Sequence, residues 1–128
     1  MSNHPQIHLI EPLDVVDFHN IAARNYLIMS DSGGVQEEAP SLGKPVLVLR
    51  DTTERPEGVS AGTLKLVGTE SKNIHEVIET LLTDEIVYHQ MSQASNPYGD
   101  GRASERIVEA IAYYFGRAER PENFVIGE

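Results

Sequence analysis

Along the chain, short apolar runs alternate with stretches whose apolar residues recur every three to four positions. "IHLI" (Ile7–Ile10), "YLIM" (Tyr26–Met29), "PVLVL" (Pro45–Leu49) and "TLKLVG" (Thr63–Gly68) are the short runs, and each is bounded by turn-forming residues, the pattern of a buried strand. Between the first two, Asp14 precedes "VVDFHNIAARN", which sets Val15, Phe18, Ile21 and Ala22 on one helical face. After the second run, "VQEEAPSLG" predicts a short helix with Val35, Ala39 and Leu42 on one side and Gly43 as its stop. Pro40 lies inside that stretch and fits only in the first turn or at a kink. The polar stretch "DTTERPEGVSAG" predicts a loop with one helical turn after Pro56.

Beyond the fourth run, "NIHEVIETLLTD" predicts an amphipathic helix through Ile74, Val77, Ile78, Leu81 and Leu82, with Asn73 as its cap. "DEIVYHQMSQA" predicts another helix. "SNPYGDGRAS" is a loop, and "ERIVEAIAYYFG" a final helix with Ile107, Val108, Ile111, Ala112 and Phe115 apolar. Strand–helix alternation with continuous apolar strands predicts a parallel sheet covered on both faces. The expected fold is therefore α/β: a Rossmann-like open sheet of about four parallel strands with helices on both faces. Residues 1–116 form the expected domain, and 117–128 a polar C-terminal tail, loosely attached.

Composition narrows the partners. The chain has 128 residues, one domain's worth, with a net charge of −10 and 40% hydrophobic residues. That charge argues against a nucleic-acid partner and against an anionic membrane surface. A small anionic ligand remains compatible, because local dipoles and a few arginines can override the global field. No cysteine is present, which excludes disulfides and thiolate metal sites and is compatible with a cytoplasmic location. Neither a signal-peptide pattern nor an apolar run of membrane-spanning length is visible.

Candidate chemistry concentrates between Ser32 and Arg55. In open parallel sheets, ligands sit beyond the carboxyl ends of the strands, and Ser32-Gly33-Gly34 lies at such a strand-to-helix handover. Two glycines let backbone N–H groups approach an anion closely, the helix dipole favours negative charge there, and Ser32 can cap the helix. Taken alone, the same residues read first as an ordinary turn and cap. Glu38 follows Gly34 by four residues and shares its face. A carboxylate there would repel a phosphate at contact distance but can accept both hydroxyls of a ribose one unit further out. Arg55, in the loop after the third apolar run, can reach a phosphate or sugar in bidentate fashion. Its simpler role is an exposed ion pair with Glu54 or Glu57, an arrangement worth under about 1 kcal/mol. Together these residues point to a nucleoside diphosphate. Neither a G-x-G-x-x-G fingerprint nor a P-loop is present, "GDGRAS" follows no strand, and "HEVIE" lacks the second histidine of a zinc helix.

The string "SDSGGVQEEAPSLGKPVLVLRDTTERPEGVSAGT", with the residues from about Ile7 to "NPYGDGRASERIVEAI", resembles the C-terminal domain of the non-hydrolysing UDP-N-acetylglucosamine 2-epimerases. The resemblance implies the second half of a glycosyltransferase-B-type fold, in which two Rossmann-like domains face each other across the active site. It assigns Ser32, Gly33 and Gly34 to the UDP diphosphate, Glu38 to the ribose and Arg55 to the nucleotide. Phe18 is placed at the uracil, and Leu13 at a uracil-side position where some members carry glutamine, so its contact would run through backbone.

The same resemblance implies interconversion of UDP-GlcNAc and UDP-ManNAc by elimination and re-addition of UDP. The acid/base carboxylates, the nucleotide-binding Arg and Lys and the histidine of that chemistry precede the matched region in the family. No catalytic residue, metal or cofactor is therefore expected in these 128 residues, and the partners expected are UDP or UDP-GlcNAc, an N-terminal domain and, for the full enzyme, a second copy in a homodimer. The alternatives are a stand-alone nucleotide-binding or regulatory module and the donor half of a glycosyltransferase, the latter disfavoured by "RDTTERPE".

Overall fold

The computed structural model describes residues 4–125. Three strands, β1 (Ile28–Ser30), β2 (Val46–Val48) and β3 (Leu64–Leu66), form one parallel sheet in the order β1-β2-β3. Ile28 registers with Val46, and Val46 with Leu64. The β-branched run at Val46–Val48 takes the centre of the sheet, and all three of its residues are fully buried. Its side chains alternate between faces. Val46 and Val48 join Ile28, Leu64, Ala22 and Ala39 on one side, while Leu47 meets Val67 and Leu81 on the other.

The first face is covered by α1 (Val15–Arg24), α2 (Gly33–Glu38) and the 3-10 turn Ala39–Leu42 that continues it. The second is covered by α4 (Ser71–Thr83) and α5 (Glu85–Ser92), through Ile74, Val77, Ile78, Val87 and Met91. The expected α/β sheet with helices on both faces is thus present.

Asp14 caps α1 by accepting from the Asp17 amide at 2.9 Å, as the sequence predicts. Pro40 falls in the first turn of the 3-10 segment, where a missing N–H is harmless. Gly43 ends that segment at φ 65°, a left-handed conformation that glycine adopts without a Cβ penalty. The helical turn expected after Pro56 is α3 (Pro56–Ala61).

Three expectations are corrected. The sheet has three strands, not four, because Ile7–Ile10 forms no strand. Leu9 and Ile10 are 76% and 65% exposed. A strand needs a neighbour to take its amides and carbonyls, and among the described residues none lies alongside this segment. Second, α4 begins at Ser71, with Glu70 in the cap position and no side-chain cap bond, so Asn73 lies inside the helix. Third, α6 (Ala103–Tyr114) forms as predicted, but Ile107, Val108 and Ile111, and Phe115 just beyond it, stay more than half exposed. The final three residues of the predicted tail lie outside the described residues. Within it, Phe124 sits under the Arg106 guanidinium at 5.8 Å.

Candidate functional site at the carboxyl edge of the sheet

The loops that leave β1 and β2 open on the same edge of the sheet, because parallel strands all end on one side. After β1 the chain turns through Asp31 and Ser32 into α2. The Ser32 amide donates to Ser30 Oγ at 3.0 Å, which closes the turn. Ser32 holds the N-cap position with extended backbone, but its hydroxyl makes no cap bond. The side-chain capping expected of it is therefore absent. Ser32 and Gly34 are exposed.

Gln36 ties this helix to the loop after β2. Its side chain is fully buried, its Nε2 donates to the Ser32 carbonyl at 3.2 Å, and its Oε1 accepts from Thr53 Oγ1 at 2.6 Å. Thr53 Oγ1 in turn accepts from the Arg55 amide at 3.0 Å. A buried amide left half-satisfied is costly, so this chain of bonds fixes the Thr53–Arg55 backbone against the start of α2. Sequence reasoning passed over both Gln36 and Thr53. The available signal was Gln36's place four residues after Ser32, on the inward face of the helix.

Arg55 then reaches across to α2, where its Nε pairs with Glu37 Oε1. Its ion-pair partner is therefore neither Glu54 nor Glu57. Glu54 pairs instead with Arg50, Nη1 to Oε2 at 2.7 Å. A hydrogen bond from its own backbone amide, with the charges of Arg50 and Arg55 behind it, holds the Glu54 carboxyl below its ordinary value. That carboxylate lies against Gly33.

Glu38, next along α2, is held from the opposite side. His19 of α1 meets its Oε2 through Nε2 at 2.9 Å. Phe18 packs on the core beneath α1, with its ring 5.9 Å from that of His19. Ser32, Gly33, Gly34, Glu38 and Arg55 thus gather on α2 and the loop facing it, with Phe18 on the neighbouring helix. Leu13 stands apart, exposed in the segment just ahead of Asp14.

Beside Glu37 and Glu38 a cavity of about 640 Å³ opens between α2, the loop at Asn96–Gly101 and α6. The loop is self-bonded, with the Tyr98 amide donating to Asn96 Oδ1 at 3.0 Å. Both oxygens of Asp100 accept from Arg106, each at 2.7 Å, and join the loop to α6. Among the described residues no cluster of His, Asp and Glu has the arrangement to hold a metal ion. No helix there is long and apolar enough to cross a membrane.

A family model described as UDP-N-acetylglucosamine 2-epimerase matches residues 1–112. The UDP-N-acetylglucosamine 2-epimerase of Bacillus subtilis (strain 168) is 67% identical over 120 residues, which are 93% of this chain and 32% of that protein. A solved S. aureus MnaA–UDP co-structure superposes with a TM-score of 0.89 at 61% identity, covering 98% of this chain and 34% of that one. The UDP-GlcNAc 2-epimerase of Neisseria meningitidis, solved bound to UDP-GlcNAc, gives 0.83 at 54% identity, with 88% and 31% covered. The chain thus spans about a third of the length of the curated relatives it matches. Over that third, sequence and fold agree: the chain belongs to the UDP-N-acetylglucosamine 2-epimerase family.

Proposed function

We propose that this chain is the UDP-binding part of an epimerase that interconverts UDP-GlcNAc and UDP-ManNAc. The observation that carries this reading is the convergence of Ser32-Gly33-Gly34, Glu38 and Arg55 at one edge of the sheet, with Arg55 held on α2 by Glu37. The relatives solved with UDP and with UDP-GlcNAc support it. In this reading the Ser32 hydroxyl, which makes no cap bond, the Gly33 and Gly34 amides and the Arg55 guanidinium take the diphosphate. Glu38 accepts from the ribose hydroxyls, Phe18 lies toward the uracil, and Leu13 contributes backbone on the uracil side.

The chemistry that follows is elimination of UDP to a glycal and its re-addition with the configuration at C2 inverted. UDP leaves with developing negative charge, and preoriented N–H donors with an arginine stabilise that charge where it forms. The acid/base groups lie in the part of the enzyme's length outside this third, on an N-terminal domain that faces the cradle, and the full enzyme is a cytoplasmic homodimer. The 128-residue chain alone accordingly binds UDP and turns over no UDP-GlcNAc.

Calorimetric titration of the chain with UDP, UMP and ADP tests the reading. UDP is expected to bind more tightly than either of the others, and Gly34→Val or Glu38→Ala to weaken it. Equal affinity for ADP, or UDP binding untouched by both substitutions, overturns the assignment. Turnover of UDP-GlcNAc by the purified chain overturns the division of labour.

A further inference from the structure

Glu37 and Glu38 are adjacent, yet each is held by a different element: Glu37 by Arg55 from the loop after β2, Glu38 by His19 from α1. Glu38 is about half exposed, as is His19, with side-chain exposures of 52% and 44%. Packing therefore does not fix the Glu38 carboxylate, and an unpaired glutamate on a helix surface samples several rotamers. To accept from two neighbouring hydroxyls at once, its carboxylate must be turned one way and kept there.

We propose that His19 is the positioning residue for Glu38, orienting its carboxylate toward the 2′- and 3′-hydroxyls of a nucleotide ribose. The inference rests on the ribose role given to Glu38 above. Its own support is the geometry. His19 Nε2 lies 2.9 Å from Oε2 and donates there whether the ring is charged or neutral with the proton on Nε2. A carboxylate offers about four lone-pair sites, so one bond to His19 leaves the others for ligand. A small cavity of 110 Å³ opens at the pair, lined by His19, Glu38, Ser41 and Leu42, so those lone pairs are reachable. The Glu38 carbonyl is fixed separately by Ser41 Oγ at 2.6 Å, which anchors the backbone from which the carboxylate is aimed. His19 also directly follows Phe18, so one turn of α1 serves both the base side and the sugar side of the nucleoside.

The test compares UDP with 2′-deoxy-UDP by calorimetry on the full chain and on Glu38→Ala, His19→Ala and His19→Gln, with circular dichroism as a check on folding. The parent chain is expected to favour UDP by about tenfold, the worth of one hydrogen bond to a charged group. Glu38→Ala should erase that preference. His19→Ala should cut it by about threefold or more, weakening 2′-deoxy-UDP, which keeps its 3′-hydroxyl, less than it weakens UDP. His19→Gln, whose amide can donate to the same oxygen, should restore most of it. Equal weakening of both nucleotides, with no rescue by Gln, would mark a merely structural histidine and overturn the inference. If Glu38→Ala leaves the preference intact, the ribose role itself fails. If Glu38→Ala erases the preference and His19→Ala keeps it, only the role of His19 fails.

Discussion

The Glu54 carboxylate stands against Gly33: a Cβ built on Gly33 would lie 2.5 Å from Glu54 Oε1. Gly33 opens α2, so the place where the sequence predicts an anion is faced by an anionic side chain of the protein itself. Arg50 holds that carboxylate at 2.7 Å. On the function proposed above, a diphosphate bound at Gly33 would have to displace Glu54, and the displacement would free the Arg50 guanidinium beside it.

Gly33→Ala is therefore expected to lower UDP affinity by about tenfold or more, since a methyl group intrudes on close backbone approach. Stability should change little. The atom in its way is the far end of a flexible, half-exposed side chain, and alanine in a helix gains about 0.5–1 kcal/mol over glycine. Calorimetry and a thermal melt on the same sample check both halves, and undiminished UDP binding would refute the cradle.

Gly58→Ala should do the reverse, harming the fold before the ligand. Gly58 is buried in α3, and an added Cβ would lie 2.5 Å from Leu64 Cδ1 and 2.6 Å from Cγ, with Tyr98 Oη also in contact. Leu64 belongs to the core cluster and cannot swing away freely. Overpacking of this kind costs about 1–3 kcal/mol, readable as a lower denaturant midpoint with an unchanged slope. A midpoint equal to that of the parent chain would show that α3 shifts without penalty.

Gln36→Leu is expected to lose about 1–3 kcal/mol, because Thr53 Oγ1 and the Ser32 carbonyl each lose a bond that the buried amide supplied. The loosened Thr53–Arg55 backbone should also weaken UDP. Thr53→Val, which removes the hydroxyl partner, should affect UDP similarly, and the double variant should cost less than the sum of the two. Strict additivity would mean that the two side chains are not coupled.

The Asp100–Arg106 pair makes a pH prediction. The Arg106 guanidinium, on both carboxylate oxygens, and then the Arg102 amide hold the Asp100 carboxyl well below the usual range. A depressed carboxyl contributes stability at pH above its unfolded value, about 3.9, and loses it as pH falls toward the folded value. The melting-temperature gap between the parent chain and Asp100→Asn should stay level from pH 8 to 5 and close below about pH 4. A gap that persists in acid would mean that the carboxylate's charge is not what matters there.

Much of this was legible in the residues because the signals are local. The β-branched run at Val46–Val48, the Asp14 cap and the Gly43 stop each act within a few positions, so sequence placed them correctly. The Ser32-Gly33-Gly34 turn was equally visible, as a strand-to-helix handover. What misled was an apolar run read without its neighbours. Ile7–Ile10 carries a strand's composition, yet no strand flanks it among the described residues and it stays exposed. The α6 face shows the same gap between pattern and burial: periodicity predicts the helix, not what covers it.

By itself, then, the sequence determined three of the four segments it marked as strands, which residues turn the chain, and that chemistry-bearing residues collect between Ser32 and Arg55. Only the tertiary structure decided how those side chains are shared out. Arg55 goes to Glu37, Arg50 to Glu54, and His19, nineteen positions away, to Glu38. Each arginine had several carboxylates within reach along the chain, and local spacing cannot choose among them. The choice follows from the parallel sheet, which sets α1, α2 and the loop after β2 side by side, and from buried Gln36, which locks that loop against α2.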